Sequence, residues 1–135
     1  MIQRIQTILL SLSALLNGGV YFTPIYERAM EDPQLWIGIG LASATLIAIL
    51  LTLYGIFLYA DRNKQIVWVK RASFIQIVAL GFAIGVLFSL GGIGTYLWDE
   101  ALGTGLLGMA LLSQVFALRG IKKDEELVKS MDRIR

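Results

Sequence analysis

Residues 35–60 read LWIGIGLASATLIAILLTLYGIFLYA, a run of 26 residues without one charged side chain. Three more uncharged stretches occupy residues 5–26, 72–96 and 101–118, and all 22 charged residues lie outside the four stretches. At about 1.5 Å per residue, even the shortest stretch extends roughly 27 Å as a helix, close to the ~30 Å hydrocarbon core of a bilayer. The pattern therefore predicts an all-α membrane protein with four transmembrane helices.

The composition leaves little room for anything beyond these spans. The chain has 135 residues, of which 56% are apolar and 16% are charged, whereas a soluble domain typically has about 45–50% apolar and about 25% charged residues. We therefore expect one four-helix transmembrane domain over residues 1–118, followed by a tail over residues 119–135.

The charges predict how the protein sits in the membrane. Eleven of the twelve Lys and Arg residues lie before the first span, in the segment 61–71 or in the tail. The segments 27–34 and 98–100 carry five acidic residues and one basic residue, Arg28. Since short cytoplasmic loops are enriched in Lys and Arg, we expect both termini in the cytoplasm and the two acidic loops outside.

Several classes of chemistry are excluded or disfavoured by composition. The chain has no Cys and no His, so it cannot form a thiolate metal site, a disulfide or an imidazole haem ligand. It also has no nucleotide-binding or nucleic-acid motif, and we predict no catalytic residue, metal or cofactor and no nucleic-acid partner. The only acids that an enzyme acting at the outer surface would have are those of the outer loops: Glu27, Glu31, Asp32, Asp99 and Glu100.

Small residues recur at helical spacing on three of the spans. Lipid tails are as apolar as Leu, so membrane helices associate through close backbone approach at small residues. We expect the small faces to form the bundle interior or a partner interface. They comprise Gly40, Ala44, Ala48, Thr52 and Gly55 in the second span, Gly81, Gly85, Ser89 and Gly92 in the third, and Ala101, Gly105 and Gly108 in the fourth.

Three side-chain amides lie well inside the spans: Asn17, Gln76 and Gln114. An amide in hydrocarbon needs a partner, because no water is available to bond it. Interhelical hydrogen bonds are the main expectation, and contact with a ligand or a hinge at Asn17, which precedes Gly18 and Gly19, is the alternative. No Asp, Glu, Lys or Arg lies within a span, which disfavours ion-coupled transport.

The tail favours a short amphipathic cytoplasmic helix after Gly120. Its mixed charges include a Glu125–Lys129 pair at i,i+4 spacing, and a surface helix that binds lipid alone is usually more basic. We expect it to dock on protein through one apolar face, formed by Ile121, Leu127, Val128, Met131 and Ile134.

The two ends of the chain carry a resemblance. The opening MIQRIQTILL (1–10) and the closing IKKDEELVKSMDRIR (121–135) are similar to the ends of a bacterial family of small four-span membrane proteins catalogued only as a domain of unknown function. The resemblance covers the whole length, with Pro24 after the first helix. It implies a small protein of the bacterial inner membrane and carries over no catalytic or binding residues.

An enzyme that acts on lipids at the outer surface through the acids of the outer loops is the least favoured function, and two others stand ahead of it. The first is a non-catalytic accessory or assembly subunit of a larger membrane complex, with membrane lipids and other membrane subunits as its partners. The alternative is a self-associating protein that binds or carries a lipid-like molecule in a cavity lined by the three amides.

Overall fold

The computed structural model describes residues 2–22, 35–58, 60–89 and 98–134. These residues form four helices and no strand: α1 (Ile2–Val20), α2 (Leu35–Phe57), α3 (Arg62–Ser89) and α4 (Trp98–Ile134). The fold is all-α, as the sequence predicts. Within these residues, three helices are long and apolar enough to cross a membrane, over Trp36–Phe57, Arg62–Val86 and Ala101–Met131, while Ile5–Val20 is a shorter apolar helix.

The helices form an antiparallel ring in which each packs against its chain neighbours and α1 also packs against α4. Gln6 lies beside Gly120 and Leu106 lies beside Gly19, which sets the register of α1 against α4. One end of the bundle therefore combines the start of α1, the turn between α2 and α3, and the part of α4 after Gly120. We call this the basic end.

The first helix ends earlier than the uncharged stretch 5–26 suggests. Helix α1 stops at Val20, and the backbone amides of Tyr21 and Phe22 donate to the carbonyls of Gly18 and Gly19, at 3.3 and 3.0 Å. Glycine is a poor helix former, so this pair is a natural place for the helix to tighten into a turn. The rest of the predicted span, 23–26, lies outside the described residues.

The third helix begins ten residues before the predicted span 72–96. Asp61 precedes it, and its carboxylate accepts a 3.3 Å hydrogen bond from the Lys64 amide, as an N-cap does. Gln65, Ile66 and Val69 are buried, and Gln65 Nε2 donates to the Gly55 carbonyl at the end of α2. Residues 62–71, which lie between the predicted second and third spans, are thus helical and pack against the bundle.

The fourth helix passes through Gly120 without a break, so residues 119–134 extend α4 and do not form a separate helix. A glycine within a helix costs about 1 kcal/mol relative to alanine but need not end it. Here a Cβ on Gly120 would lie 3.3 Å from Gln6 Nε2. The position therefore favours a small residue because Gln6 packs against it.

The core is divided into two apolar clusters along the bundle. The cluster nearer the basic end contains Leu10, Ile66, Val69, Ala117 and Ile121. The cluster toward the opposite end contains Val20, Leu41, Ala44, Ala79, Ala83, Val86 and Leu107. Many large apolar side chains point outward, among them Ile8, Leu15, Phe57, Phe74, Phe88 and Leu112, as a lipid-facing surface requires.

Candidate functional site

The three amides that the sequence singles out meet at the centre of the bundle. Asn17 Nδ2 donates to Gln76 Oε1 at 2.8 Å, and Gln76 Nε2 donates back to Asn17 Oδ1 at 2.9 Å. Gln76 Nε2 also donates to the Leu107 carbonyl at 3.2 Å. This paired exchange joins α1 to α3 across the ring and anchors both to the backbone of α4.

Gln114 completes the network from the fourth helix. Its Nε2 donates to Thr52 Oγ1 at 3.1 Å and to Gln76 Oε1 at 3.4 Å. The Thr52 hydroxyl in turn donates to the Ala48 carbonyl within α2. All four helices therefore contribute to one hydrogen-bonded group, which we call the amide network (Asn17, Thr52, Gln76 and Gln114).

The position of the amide network follows from helix register. Asn17 lies between Leu10 and Val20 on α1, and Gln76 lies between Val69 and Ala79 on α3, so each side chain projects between the two apolar clusters. Each of the four residues is fully buried. Small residues at neighbouring turns, Ser13, Ala48, Ala72 and Ala110, are also buried and let the helices approach closely.

The chemistry available to the amide network is hydrogen bonding without proton transfer, because none of its members is ionisable near neutral pH.

Two buried polar atoms at the network have no hydrogen-bond partner among the described residues. They are Oε1 of Gln114, within the network, and the hydroxyl of Ser13, beside it. Sequence reasoning missed Ser13, since a single serine in an apolar helix carries no distinguishing signal. On sequence, Thr52 belongs only to the small face of α2, but its hydroxyl also accepts a hydrogen bond from Gln114.

The small face of α2 points inward. Ala44 and Ala48 are buried, and Gly40 and Gly55 are where α3 comes closest. A Cβ at Gly40 would lie 2.6 Å from the Phe82 ring, and a Cβ at Gly55 would lie 3.2 Å from Val69. This face belongs to the interior between α2 and α3.

The small faces of α3 and α4 are arranged differently. A Cβ at Gly81, Gly85, Gly105 or Gly108 would meet nothing within 4 Å among the described residues. Gly81 and Gly85 line a shallow outward groove of about 330 Å³ together with Trp36, Ile37, Val78 and Phe82. Ser89 and Gly92 fall where side chain or backbone is not described. That Gly81 and Gly85 belong to a partner interface stays a prediction.

The C-terminal part of α4 contacts the rest of the bundle through Ile121 and Asp124, and the apolar side chains that follow Asp124 are exposed. Ile121 is fully buried, and Asp124 forms a 3.2 Å ion pair with Arg62 at the start of α3. Farther along, the exposed fractions of Leu127, Val128 and Met131 are 51%, 40% and 70%. The side chain of Ile134 lies outside the described residues.

A cleft of about 670 Å³ opens where this extension leaves α3. Its walls carry acidic and basic side chains and two apolar ones, Ala60 and Val128. Lys129 forms the expected i,i+4 ion pair with Glu125, at 3.4 Å. The lining residues are Ala60, Asp61, Arg62, Asn63, Glu125, Val128 and Lys129.

The outer-loop acids are not placed by the structure. Glu27, Glu31 and Asp32 lie outside the described residues, and Asp99 and Glu100 belong to the first turn of α4 without described side chains. In the described part of the chain, no three acidic side chains are grouped so that they could hold a metal ion.

Comparison with known proteins gives the family but no activity. No curated protein and no solved structure matches the chain significantly. The family described as "Domain of unknown function (DUF4293)" matches residues 2–134, which confirms the resemblance of the two ends of the chain. The protein is therefore a member of the DUF4293 family over almost its entire length.

Proposed function

We propose that the protein is a non-catalytic accessory or assembly subunit of a larger complex in the bacterial inner membrane. The observation that carries this proposal is the extension of α4, where Leu127, Val128 and Met131 are exposed on a helix that also bears many charges. Outward apolar side chains within the spans are covered by lipid, but those on a charged extension need a protein partner.

The length of α4 supports placing the extension outside the hydrocarbon. Its 37 residues reach about 55 Å, well beyond the ~30 Å hydrocarbon core. The charges of α4 after its first turn begin at Arg119, so the bilayer covers the part before Arg119 and the extension projects from the basic end. Under the positive-inside rule this end faces the cytoplasm, together with both termini.

The proposal includes four spans. The 19 residues of α1 extend about 28 Å, enough for a thin hydrocarbon region, and α1 packs along α4 from Gln6 to Gly19. A helix antiparallel to α4 over that distance crosses the same bilayer.

The amide network also favours a structural role over a carrier. A cavity lined by Asn17, Gln76 and Gln114 is what a lipid carrier of the alternative kind requires. These side chains are instead fully buried and bonded to one another, so their hydrogen bonds hold helices together.

The test is purification through a C-terminal tag in a mild detergent, with the particle mass and every co-purifying chain identified. We expect a stoichiometric membrane partner. The double variant Leu127→Asn/Met131→Asn should lose it, whereas Lys122→Gln/Glu126→Gln, on the same extension, should keep it. A lone monomer or homo-oligomer in this preparation would refute the subunit proposal.

A further inference from the structure

A second outward groove, of about 400 Å³, runs between α2 and α3 close to the basic end. One part of its wall is apolar, formed by Ile47 and Leu51 of α2 and by Phe74 and Ile75 of α3. Lys70 and Arg71 also line the groove. Its surface is almost entirely apolar, so these two residues contribute their aliphatic stems to the wall and carry their charges at its border.

The guanidinium of Arg71 is held in place by aromatic rings. It lies 4.7 Å from the centre of the Trp68 ring, one helical turn earlier on α3. Trp68 is itself packed edge-on against Tyr54 of α2, with ring centres 4.9 Å apart. A cation held over an aromatic face loses less side-chain freedom when it binds a phosphate.

Neither cation is neutralised within the described part of the chain, where the ion pairs join Arg62 to Asp124, Lys64 to Asp61 and Lys129 to Glu125. Both side chains are exposed. Their free charge is therefore available to an anion from outside the bundle.

The depth of the two cations matches the headgroup boundary. Lys70 and Arg71 are the last charged residues before the uncharged stretch 72–96. A hydrocarbon core of ~30 Å takes about 20 helical residues, which this stretch supplies, so the two cations lie at its border. Phe74 and Ile47 then lie deeper, at the level of the acyl chains. Basic pockets between membrane helices at this depth suit acidic lipid headgroups.

We propose that this groove binds one molecule of an anionic phospholipid. Its phosphate bridges Lys70 and Arg71, and an acyl chain lies along Ile47, Leu51 and Phe74. The inference is independent of the proposed subunit role, because the groove lies on α2 and α3 and shares no residue with the extension of α4.

The experiment is native mass spectrometry of the purified full-length protein titrated with phosphatidylglycerol or with phosphatidylcholine of the same acyl chains. We expect phosphatidylglycerol to bind at least tenfold more tightly, at about one molecule per chain. The variant Lys70→Gln/Arg71→Gln should remove most of this preference. The control Lys122→Gln/Lys123→Gln, which removes two cations of the same end, should retain it within about twofold.

Two further measurements make the inference refutable. Glycerol phosphate at millimolar concentration should not displace the lipid, since the apolar wall contributes to binding. Displacement would show that only the phosphate is bound and would overturn the proposal of a phospholipid site. A phosphatidylglycerol with a photoreactive acyl chain should label peptides containing residues 47–51 and 74–75. Labelling spread evenly over the bundle, or equal binding of the two lipids, would overturn the proposal.

Discussion

Asn17 on α1 and Gln76 on α3 exchange two hydrogen bonds, of 2.8 and 2.9 Å, across the ring of helices. The extensive contacts of the ring join adjacent helices, so these side chains connect two helices that do not pack closely. Because the pair lies in a region without water, loss of Gln76 removes the hydrogen-bond partner of Asn17, whereas Gln76 keeps the Leu107 carbonyl and Gln114 as partners if Asn17 is lost.

We therefore expect strong coupling between these two positions. Gln76→Leu should lower the free energy of unfolding in detergent by about 1–3 kcal/mol, because the Asn17 amide then remains buried and unpaired. Asn17→Leu should cost less, because Gln76 keeps the Leu107 carbonyl and Gln114 as partners. The double variant should cost less than the sum of the single variants, with an interaction energy of about 0.5–2 kcal/mol. Additive effects in a double-mutant cycle would show that the bonds contribute little.

Much of the fold could be predicted because a bilayer imposes a length on each uncharged helix. The same argument identified Asn17, Gln76 and Gln114 as side chains that need partners, although it could not say which partners, since that depends on the register between helices. Gln76 reaches both Asn17 and the Leu107 carbonyl, a combination that no sequence spacing reveals.

Helix bounds outside the hydrocarbon could not be predicted from uncharged stretches. Water solvates charges on a helix as readily as on a loop, so Arg62–Arg71 and the segment after Arg119 continue as helix. The signal available for α3 was the Asp61 cap three residues before Lys64.

The sequence also could not predict which small-residue faces point into the bundle and which point outward. In a soluble helix the polar side marks the outside, but here both sides are apolar. Gly40 faces Phe82 whereas Gly81 faces open space, and both belong to equally regular stripes.

That contrast gives a second prediction, on stability. Gly40→Ala would place a Cβ 2.6–2.7 Å from the Phe82 ring, which itself packs edge-on against Trp36. We expect this overpacking to lower the free energy of unfolding by about 1–3 kcal/mol. The matched variant Gly81→Ala meets no atom within 4 Å among the described residues and should be neutral or up to about 1 kcal/mol stabilising. Equal decreases in the thermal unfolding midpoint of the Gly40→Ala and Gly81→Ala variants would contradict the close packing of Phe82 on Gly40.

A third prediction concerns the ion pair between Arg62 and Asp124. Both side chains are partly exposed, so breaking the pair should change global stability by only about 0.2–1 kcal/mol. Because Asp124 is the point where the extension of α4 is fastened, Asp124→Asn should speed amide hydrogen exchange over residues 122–134 while residues 101–118 are unaffected. The exchanged pair Arg62→Asp/Asp124→Arg should restore slow exchange; if Asp124→Asn changes nothing, the ion pair does not hold the extension.

The fourth prediction concerns the orientation of the protein in the membrane. Because the chain contains no natural cysteine, a single introduced cysteine can report which side of the membrane it lies on. In intact spheroplasts, an impermeant maleimide should label Glu31→Cys but not Lys123→Cys, since eleven of twelve basic residues lie on the side assigned to the cytoplasm. Asn63→Cys, at the start of α3 near the Arg62–Asp124 pair, should behave like Lys123→Cys. After permeabilisation all three should react, which controls for burial. Labelling of Lys123→Cys in intact spheroplasts would invert the topology, and opposite results at Asn63 and Lys123 would contradict their sharing one end of the bundle.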